Sequence, residues 1–199
     1  MPAEKYENFL PIEYYDALYA QSYYLKDRLA TRPWYEQPSH AVTWYPAMLL
    51  TQGGEILDVG CGAGHLAPMV RLMGAEYVGI EPSGYALQIA HMRYPWATFY
   101  QASAESLWLW DWRWSEATVI LLEVLEHVLD DYAVLTQIPK GTNLIVSVPS
   151  YETRGHVRWF RDRNDVAEHY RPLIEIDEMI VERAKEGPNR WFVFRGVRR

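Results

Sequence analysis

Five short apolar runs recur through the middle of the chain, at 55–59 (EILDV), 76–80 (EYVGI), 97–101 (ATFYQ), 117–122 (ATVILL) and 143–148 (NLIVSV). Most are rich in β-branched or aromatic residues, which suits strands buried on both faces. Between them, HLAPMVRLM, SGYALQIAHMR and EVLEHVLDDYAVLTQI carry apolar residues at helical spacing. Strands alternating with helices demand right-handed βαβ units, hence a parallel sheet covered on both faces. The rhythm breaks at the end, where LIEIDEMIVER, a turn at KEGPN, and RWFVFRGVRR read as an antiparallel hairpin. The expected fold is therefore α/β: a doubly wound, mostly parallel seven-stranded sheet with a C-terminal antiparallel hairpin and an N-terminal helical cap. One domain is expected, with the cap over 1–52, the core over 53–150, and a loop plus hairpin over 151–199.

At 199 residues, 49% of them hydrophobic, the chain can bury a substantial core, yet it has no apolar run long enough for a bilayer. The start, MPAEKYENFL, lacks the layout of a signal peptide, and a lone cysteine, Cys61, excludes an internal disulfide framework or a multi-cysteine zinc site. A reducing cytoplasmic setting, no membrane partner and a monomer or homodimer are expected. The formal charge of -7 opposes a nucleic-acid partner, although TRGHVRWFRDR gathers four arginines locally.

The loop after the first run, ILDVGCGAGHLA, places Gly60, Gly62 and Gly64 at alternate positions behind Asp58. In an open α/β sheet, ligands bind beyond the carboxyl ends of the strands, and glycines there let backbone approach them. The spacing is G-x-G-x-G, not the G-x-G-x-x-G of dinucleotide folds, and no P-loop Lys-Ser/Thr follows. A carboxylate at Asp58 would repel a pyrophosphate by about 4 kcal/mol at ~4 Å and an effective dielectric near 20. It would attract the cationic amino acid end of S-adenosylmethionine. Glu81, at the end of the second run, stands where a carboxylate can accept hydrogen bonds from both ribose hydroxyls, a need NAD shares.

With these pieces in order, the sequence resembles the class I S-adenosylmethionine-dependent methyltransferases, with their Rossmann-like fold. It looks most like the small-molecule branch that includes the ubiquinone-biosynthesis O-methyltransferases. ILDVGCGAGHLA, YVGIEPS, FYQASAESL, LLEVLEHV and LIVSVPSYETRGHVRWF carry the likeness over about half the chain. The resemblance implies that Asp58, Gly60, Cys61, Gly62 and Gly64 surround the methionine part, that Glu81 holds the ribose and that Pro82 packs near adenine. It further implies that Ser103, where many relatives have an acid, and the N–H of Ala104 meet adenine, and that Glu123 lies near the methionine amino group.

EVLEHVLDD puts Glu123, Glu126 and His127 at i, i+3 and i+4, one face if helical. Three readings stand. His127 could be a general base for a hydroxyl or amine acceptor. The three side chains could instead bind a divalent metal, as the E-x-x-E-H pattern does in the small-RNA 2′-O-methyltransferases it resembles, with His156 as a further ligand. Or the glutamates could simply favour a helix N-terminus. Arg154, His156 and Arg158, after the fifth run, could grip a carboxylate or phosphate on the acceptor.

In the front segment, Tyr15, Tyr19, Ser22 and Tyr23 share a helical face, as a lid or as ordinary packing. The alternating Trp108, Trp110, Trp112 and Trp114 suit packing between strands, and His65, His91 and His169 are expected to do no chemistry. The reading is a methyl transfer from S-adenosylmethionine to a hydroxyl, or an amine, of a small anionic molecule. Its rivals are a metal-assisted RNA 2′-O-methyltransferase and a silent cofactor-binding module.

Overall fold

The computed structural model describes residues 2–21, 41–52, 54–109, 114, 116–184 and 186–199. Its main sheet comprises β2 (Glu55–Val59), β3 (Glu76–Glu81), β4 (Thr98–Gln101), β5 (Ala117–Leu121), β6 (Asn143–Pro149), β8 (Ile174–Arg183) and β9 (Arg190–Arg198). They lie in the order β4-β3-β2-β5-β6-β9-β8. The first five pair parallel, and β9 runs antiparallel to both β6 and β8. The expected α/β sheet and its closing hairpin are what the chain forms. A second, two-stranded sheet, which sequence patterning did not reveal, pairs β1 (Ala3–Glu4) with β7 (Arg158–Trp159).

Period-two alternation divides the core. Leu57, Val59, Val119, Leu121, Leu144 and Val146 pack on one face of the sheet. Ile56, Ile120 and Ile145 face the other way, against Trp44, Ala47 and Leu50 of α2 (Ala41–Leu50) and Leu66 and Val70. Each such fully buried aliphatic side chain stabilises the fold by about 1.5–3 kcal/mol. Of the expected front cap, α2 therefore lies on the sheet face, while α1 (Ile12–Ala20) reaches the strands' carboxyl edge. Ser22 and Tyr23 lie outside the described residues.

Helix boundaries follow from capping. Ser83 accepts from the Ala86 N–H to open α4 (Gly84–Arg93), and Asp162 accepts from Asn164 and Asp165 to open α6 (Arg163–Tyr170). The helix expected across EVLEHVLDDYAVLTQI forms only as α5 (Asp131–Thr136), capped by Asp130; residues 122–130 are turns. Two causes are visible. Glu123 takes a left-handed backbone (φ 57°), and its N–H donates to Ser147 Oγ. The carbonyls of Leu125, Val128 and Leu129, which a helix would spend on its own ladder, accept from the Arg158 guanidinium. Glu123, Glu126 and His127 therefore do not share a helical face, and the helix-terminus reading of them falls.

Candidate active site

Strand order reverses between β2 and β5, and five parallel strands end at one edge. The loops 60–64, 82–84, 102–104, 122–130 and 150–157 gather there. The glycine turn is anchored by two N–H groups, Gly60 and Cys61, donating to the Ile80 carbonyl. Gly60, Gly62 and Gly64 all have positive φ. A methyl group on Gly60 would sit 2.5 Å from Val124 Cγ2, and one on Gly64 would sit 2.8 Å from Phe99. Those two glycines thus serve backbone conformation and packing. Gly62 alone of the three opens toward α1, where the Tyr19 hydroxyl lies 2.7 Å from the place a Cβ would take. Cys61 is buried, its sulfur against Gly79, and burial pushes its thiol well above the ordinary range.

Glu81 ends β3 and ties the loops together. Its carboxylate accepts from the Gly62 N–H at 2.9 Å and from the Ser83 N–H at 2.9 Å. Burial raises its pKa to about 7 against the pull of those two donors. Each oxygen keeps a further lone pair for a hydroxyl. Asp58 is 4% exposed rather than poised in an open loop mouth. Its Oδ2 accepts from the Tyr77 hydroxyl at 2.7 Å, and burial raises its pKa to about 7. The Pro82 carbonyl accepts from Gln101, the Ser103 carbonyl from Ser106, and the Ala104 carbonyl from Gln137. Ser103 and Ala104 open a 3-10 turn beside the end of β4. Across the edge, α1 places Asp16 on the Ser83 hydroxyl at 2.6 Å.

Glu123, assigned by resemblance to the cofactor's amino group, is engaged within the protein. Ser147 Oγ donates to Oε1 at 2.9 Å and the Trp191 indole N–H to Oε2 at 3.2 Å. Burial lifts its pKa to about 7. The Glu126 carboxylate is different: both oxygens are sealed from solvent with no hydrogen-bond partner among the described residues. Burial and then Glu123 push it well above the carboxylate range.

Glu126, His127 and His156 converge, with one ligand atom from each within 4.8 Å of the others. His127 Nδ1 lies 2.9 Å from the Gly155 carbonyl and 3.0 Å from the Tyr15 hydroxyl. His156 Nδ1 lies 3.1 Å from the Tyr151 carbonyl. A carbonyl partner assigns the proton to Nδ1 in both rings, which leaves each Nε2 lone pair available. Burial, then His156, lowers the His127 pKa to about 4, so the ring is neutral near pH 7.

Arg154 is exposed, with its guanidinium 4.7 Å from the Tyr14 ring centroid. Arg158 does not face a ligand. It is 1% exposed, holds three carbonyls of the 125–129 turn and pairs with Asp131 at 3.4 Å. The expectation that it grips an acceptor is corrected on that ground: the guanidinium is sealed inside the fold, with Nη1 and Nη2 donating to those carbonyls and Nε turned to Asp131. Trp110 and Trp112 lie outside the described residues, as does the side chain of Trp108; Trp114 packs against the core. Tyr151 and Trp191, which meet edge to face at 5.4 Å beside His156, were not singled out from sequence. No local motif marks Trp191, because β9 joins the site only through the hairpin.

Comparison with known proteins adds to this geometry. The sequence model of a family described as a methyltransferase domain matches residues 32–179. A ubiquinone biosynthesis O-methyltransferase of Paracidovorax citrulli is 32% identical over 109 residues, covering 52% of this chain and 45% of that protein. One from Alkalilimnicola ehrlichii is 41% identical over 83 residues, covering 40% and 33%. The chain thus spans less than half the length of these curated relatives. Among solved structures, the Burkholderia thailandensis 1,6-didemethyltoxoflavin-N1-methyltransferase superposes with a TM-score of 0.66 at 13% identity, covering 99% of this chain and 94% of that one. The magnesium protoporphyrin IX methyltransferase of Synechocystis PCC 6803 gives 0.63 at 18%, covering 94% and 97%. Both of those structures hold S-adenosylhomocysteine.

Proposed function

Because the chain belongs to the methyltransferase-domain family, we propose that it transfers a methyl group from S-adenosylmethionine to a hydroxyl oxygen of a small molecule. The observation that carries the reading is the Gly62–Glu81 junction. The one glycine of the turn that opens toward α1 donates its N–H to the carboxylate ending the next strand. That places a backbone without a side chain of its own, met by the Tyr19 hydroxyl of α1, beside a hydroxyl acceptor, which suits a nucleoside joined to an amino acid. When bound, S-adenosylmethionine supplies a methyl group already activated on a sulfonium.

The chain's tasks are then binding, alignment and proton removal. Asp58 offers negative charge beneath the glycine turn, and Glu81 accepts from the ribose. His127, neutral and with Nε2 unprotonated, takes the acceptor's hydroxyl proton as oxygen bonds to the methyl carbon and the C–S bond breaks, its electron pair staying on sulfur. From α1, Tyr19 lies over Gly62 and Tyr15 against His127, which excludes water; alignment of this kind is worth about 7–11 kcal/mol. The exposed Arg154 is left as the cation for an anionic acceptor.

A second reading of the same cluster is favoured by the Glu126 carboxylate, which is sealed with no hydrogen bond. Glu126, His127 and His156 offer one oxygen and two imidazole nitrogens, a donor set that suits Mg²⁺ or Mn²⁺, and the backbone carbonyls on both Nδ1 atoms orient the rings as metal-bound histidines require. A cation there would lower the pKa of a coordinated hydroxyl. Glu123, tied to Ser147 and Trp191, is not among those ligands.

The test is calorimetric titration with S-adenosylmethionine and S-adenosylhomocysteine, followed by assays of pooled phenols, hydroxy acids and short RNAs for S-adenosylhomocysteine release, with and without EDTA. Failure to bind either nucleoside sinks the proposal. Turnover of RNA alone would replace the small-molecule acceptor, and loss of turnover with EDTA would select the metal reading.

A further inference from the structure

Beneath the glycine turn lies a buried contact that the methyl-transfer reading does not use. Tyr77 is the second residue of β3 and Asp58 the fourth of β2, and the parallel register pairs Tyr77 with Ile56 and Asp58 with Gly79. The residue opposite Asp58 therefore carries no side chain; Cys61 Sγ and Phe99 fill the space over Gly79, and the Tyr77 phenol reaches Asp58 beside them. Its hydroxyl donates to Asp58 Oδ2 at 2.7 Å, with Tyr77 7% and Asp58 4% exposed. Phe99 meets the Tyr77 ring edge to face at 5.8 Å and fixes it from the far side. Oδ1 of Asp58 takes no hydrogen bond among the described residues and is not sealed from solvent.

We propose that Tyr77 is a positioning residue for cofactor binding: by holding one oxygen of Asp58 it fixes the carboxylate's orientation and favours its ionised form, so that the other oxygen meets the cationic end of the ligand. The inference rests on the cofactor assigned above. A phenol donor supports only the charged acceptor strongly, since a charge-assisted bond is about twice as strong as a neutral one. It also stays protonated, because its own ionisation is opposed by burial and by Asp58.

The groups facing Asp58 make this donor necessary. Burial raises the carboxyl, and Glu81 of β3 raises it further. Cys61, from the turn, is held as a neutral thiol by burial and by the same acids. On the other neighbouring strand, β5, the paired residue is Ile120. Among the described residues, the Tyr77 hydroxyl is the sole group that opposes these effects on Asp58. Without it the balance shifts further toward the neutral carboxyl, which offers the ligand less charge.

The test measures dissociation constants for S-adenosylhomocysteine between pH 6 and 9, for wild type and Tyr77→Phe, and takes their ratio so that the ligand's own titration cancels. The expected ratio is about five- to tenfold at pH 6–7 and within about twofold at pH 9, the signature of a carboxyl shifted up by about one pH unit. A ratio that is flat with pH overturns the inference. Should Tyr77→Phe not fold, Asp58→Asn serves: the ratio of its dissociation constant to that of wild type, in which the titrations of the ligand and of Glu81 cancel, should rise between pH 6 and 8 as the wild-type carboxyl ionises, and a ratio flat over that range overturns the inference. Wild type that binds no nucleoside at any pH sinks the methyltransferase reading itself, a different result from binding with a flat ratio.

Discussion

His127 and His156 stand nearly edge to face, their ring centroids 5.0 Å apart at 73°, each with Nδ1 at a backbone carbonyl. Between such rings and the sealed Glu126 carboxylate, Mn²⁺ should bind and raise the melting temperature, with EDTA reversing the rise. A cation at about 100 times its dissociation constant stabilises by about 2.7 kcal/mol, and in a domain of this size each kcal/mol is about 2–4 °C. Glu126→Gln should abolish the Mn²⁺ shift. In differential scanning fluorimetry, an equal shift in wild type and variant would dismiss the site.

Tyr15 meets His127 from α1 at 3.0 Å, and burial raises the phenol pKa to about 12, so it acts as a neutral hydroxyl. Tyr15→Phe removes one hydrogen bond, worth about 0.5–1.5 kcal/mol. Turnover should fall by about two- to tenfold, while S-adenosylhomocysteine affinity stays within about twofold. Steady-state kinetics beside calorimetry separates the two.

Gly60 and Gly74 have nearly the same backbone, φ 74° and 73°, but different surroundings. Alanine at Gly74 meets nothing within 4 Å, whereas at Gly60 it meets Val124 at 2.5 Å. Gly74→Ala should cost about 1 kcal/mol of backbone strain, and Gly60→Ala about 1–3 kcal/mol more through overpacking. Urea denaturation of both variants checks the difference.

Asp58, raised to about 7 by burial, makes the unliganded protein lose stability as pH climbs from its unfolded pKa near 4 through 7. The sign follows from the folded state binding the proton more tightly than the unfolded one. Asp58→Asn lacks this loss, so its stability relative to wild type should improve with pH, by at most about 1.4 kcal/mol per unit, and level off above 7. Denaturant midpoints at pH 5, 6, 7 and 8 give the slope.

Arg154, in the loop after β6, and Arg158, on β7, should behave oppositely. Arg158→Lys leaves carbonyls of Leu125, Val128 and Leu129 without their fork of donors and should destabilise by about 2–4 kcal/mol. Arg154→Ala, on the surface, should change stability by under about 0.5 kcal/mol, apart from its stacking on Tyr14. Thermal denaturation of the pair tests the division.

The architecture was legible in the sequence because strand alternation, glycine spacing and cap residues are local properties. The five strand runs from 55 to 148 and the closing hairpin follow from them, although the run expected to be buried at 97–101 is an edge strand in which only Phe99 of Thr98–Gln101 is buried. The site's second half was not legible. The i, i+3, i+4 pattern of Glu123, Glu126 and His127 predicted a shared helical face, but a turn forms there, because Arg158, some thirty residues on, captures the carbonyls a helix would use. Chain folding, not spacing, brought His156 to His127, Trp191 to Glu123 and Tyr77 to Asp58. Periodicity reports which face of its own element a residue occupies; which distant donor satisfies a buried polar group is fixed only when the elements pack.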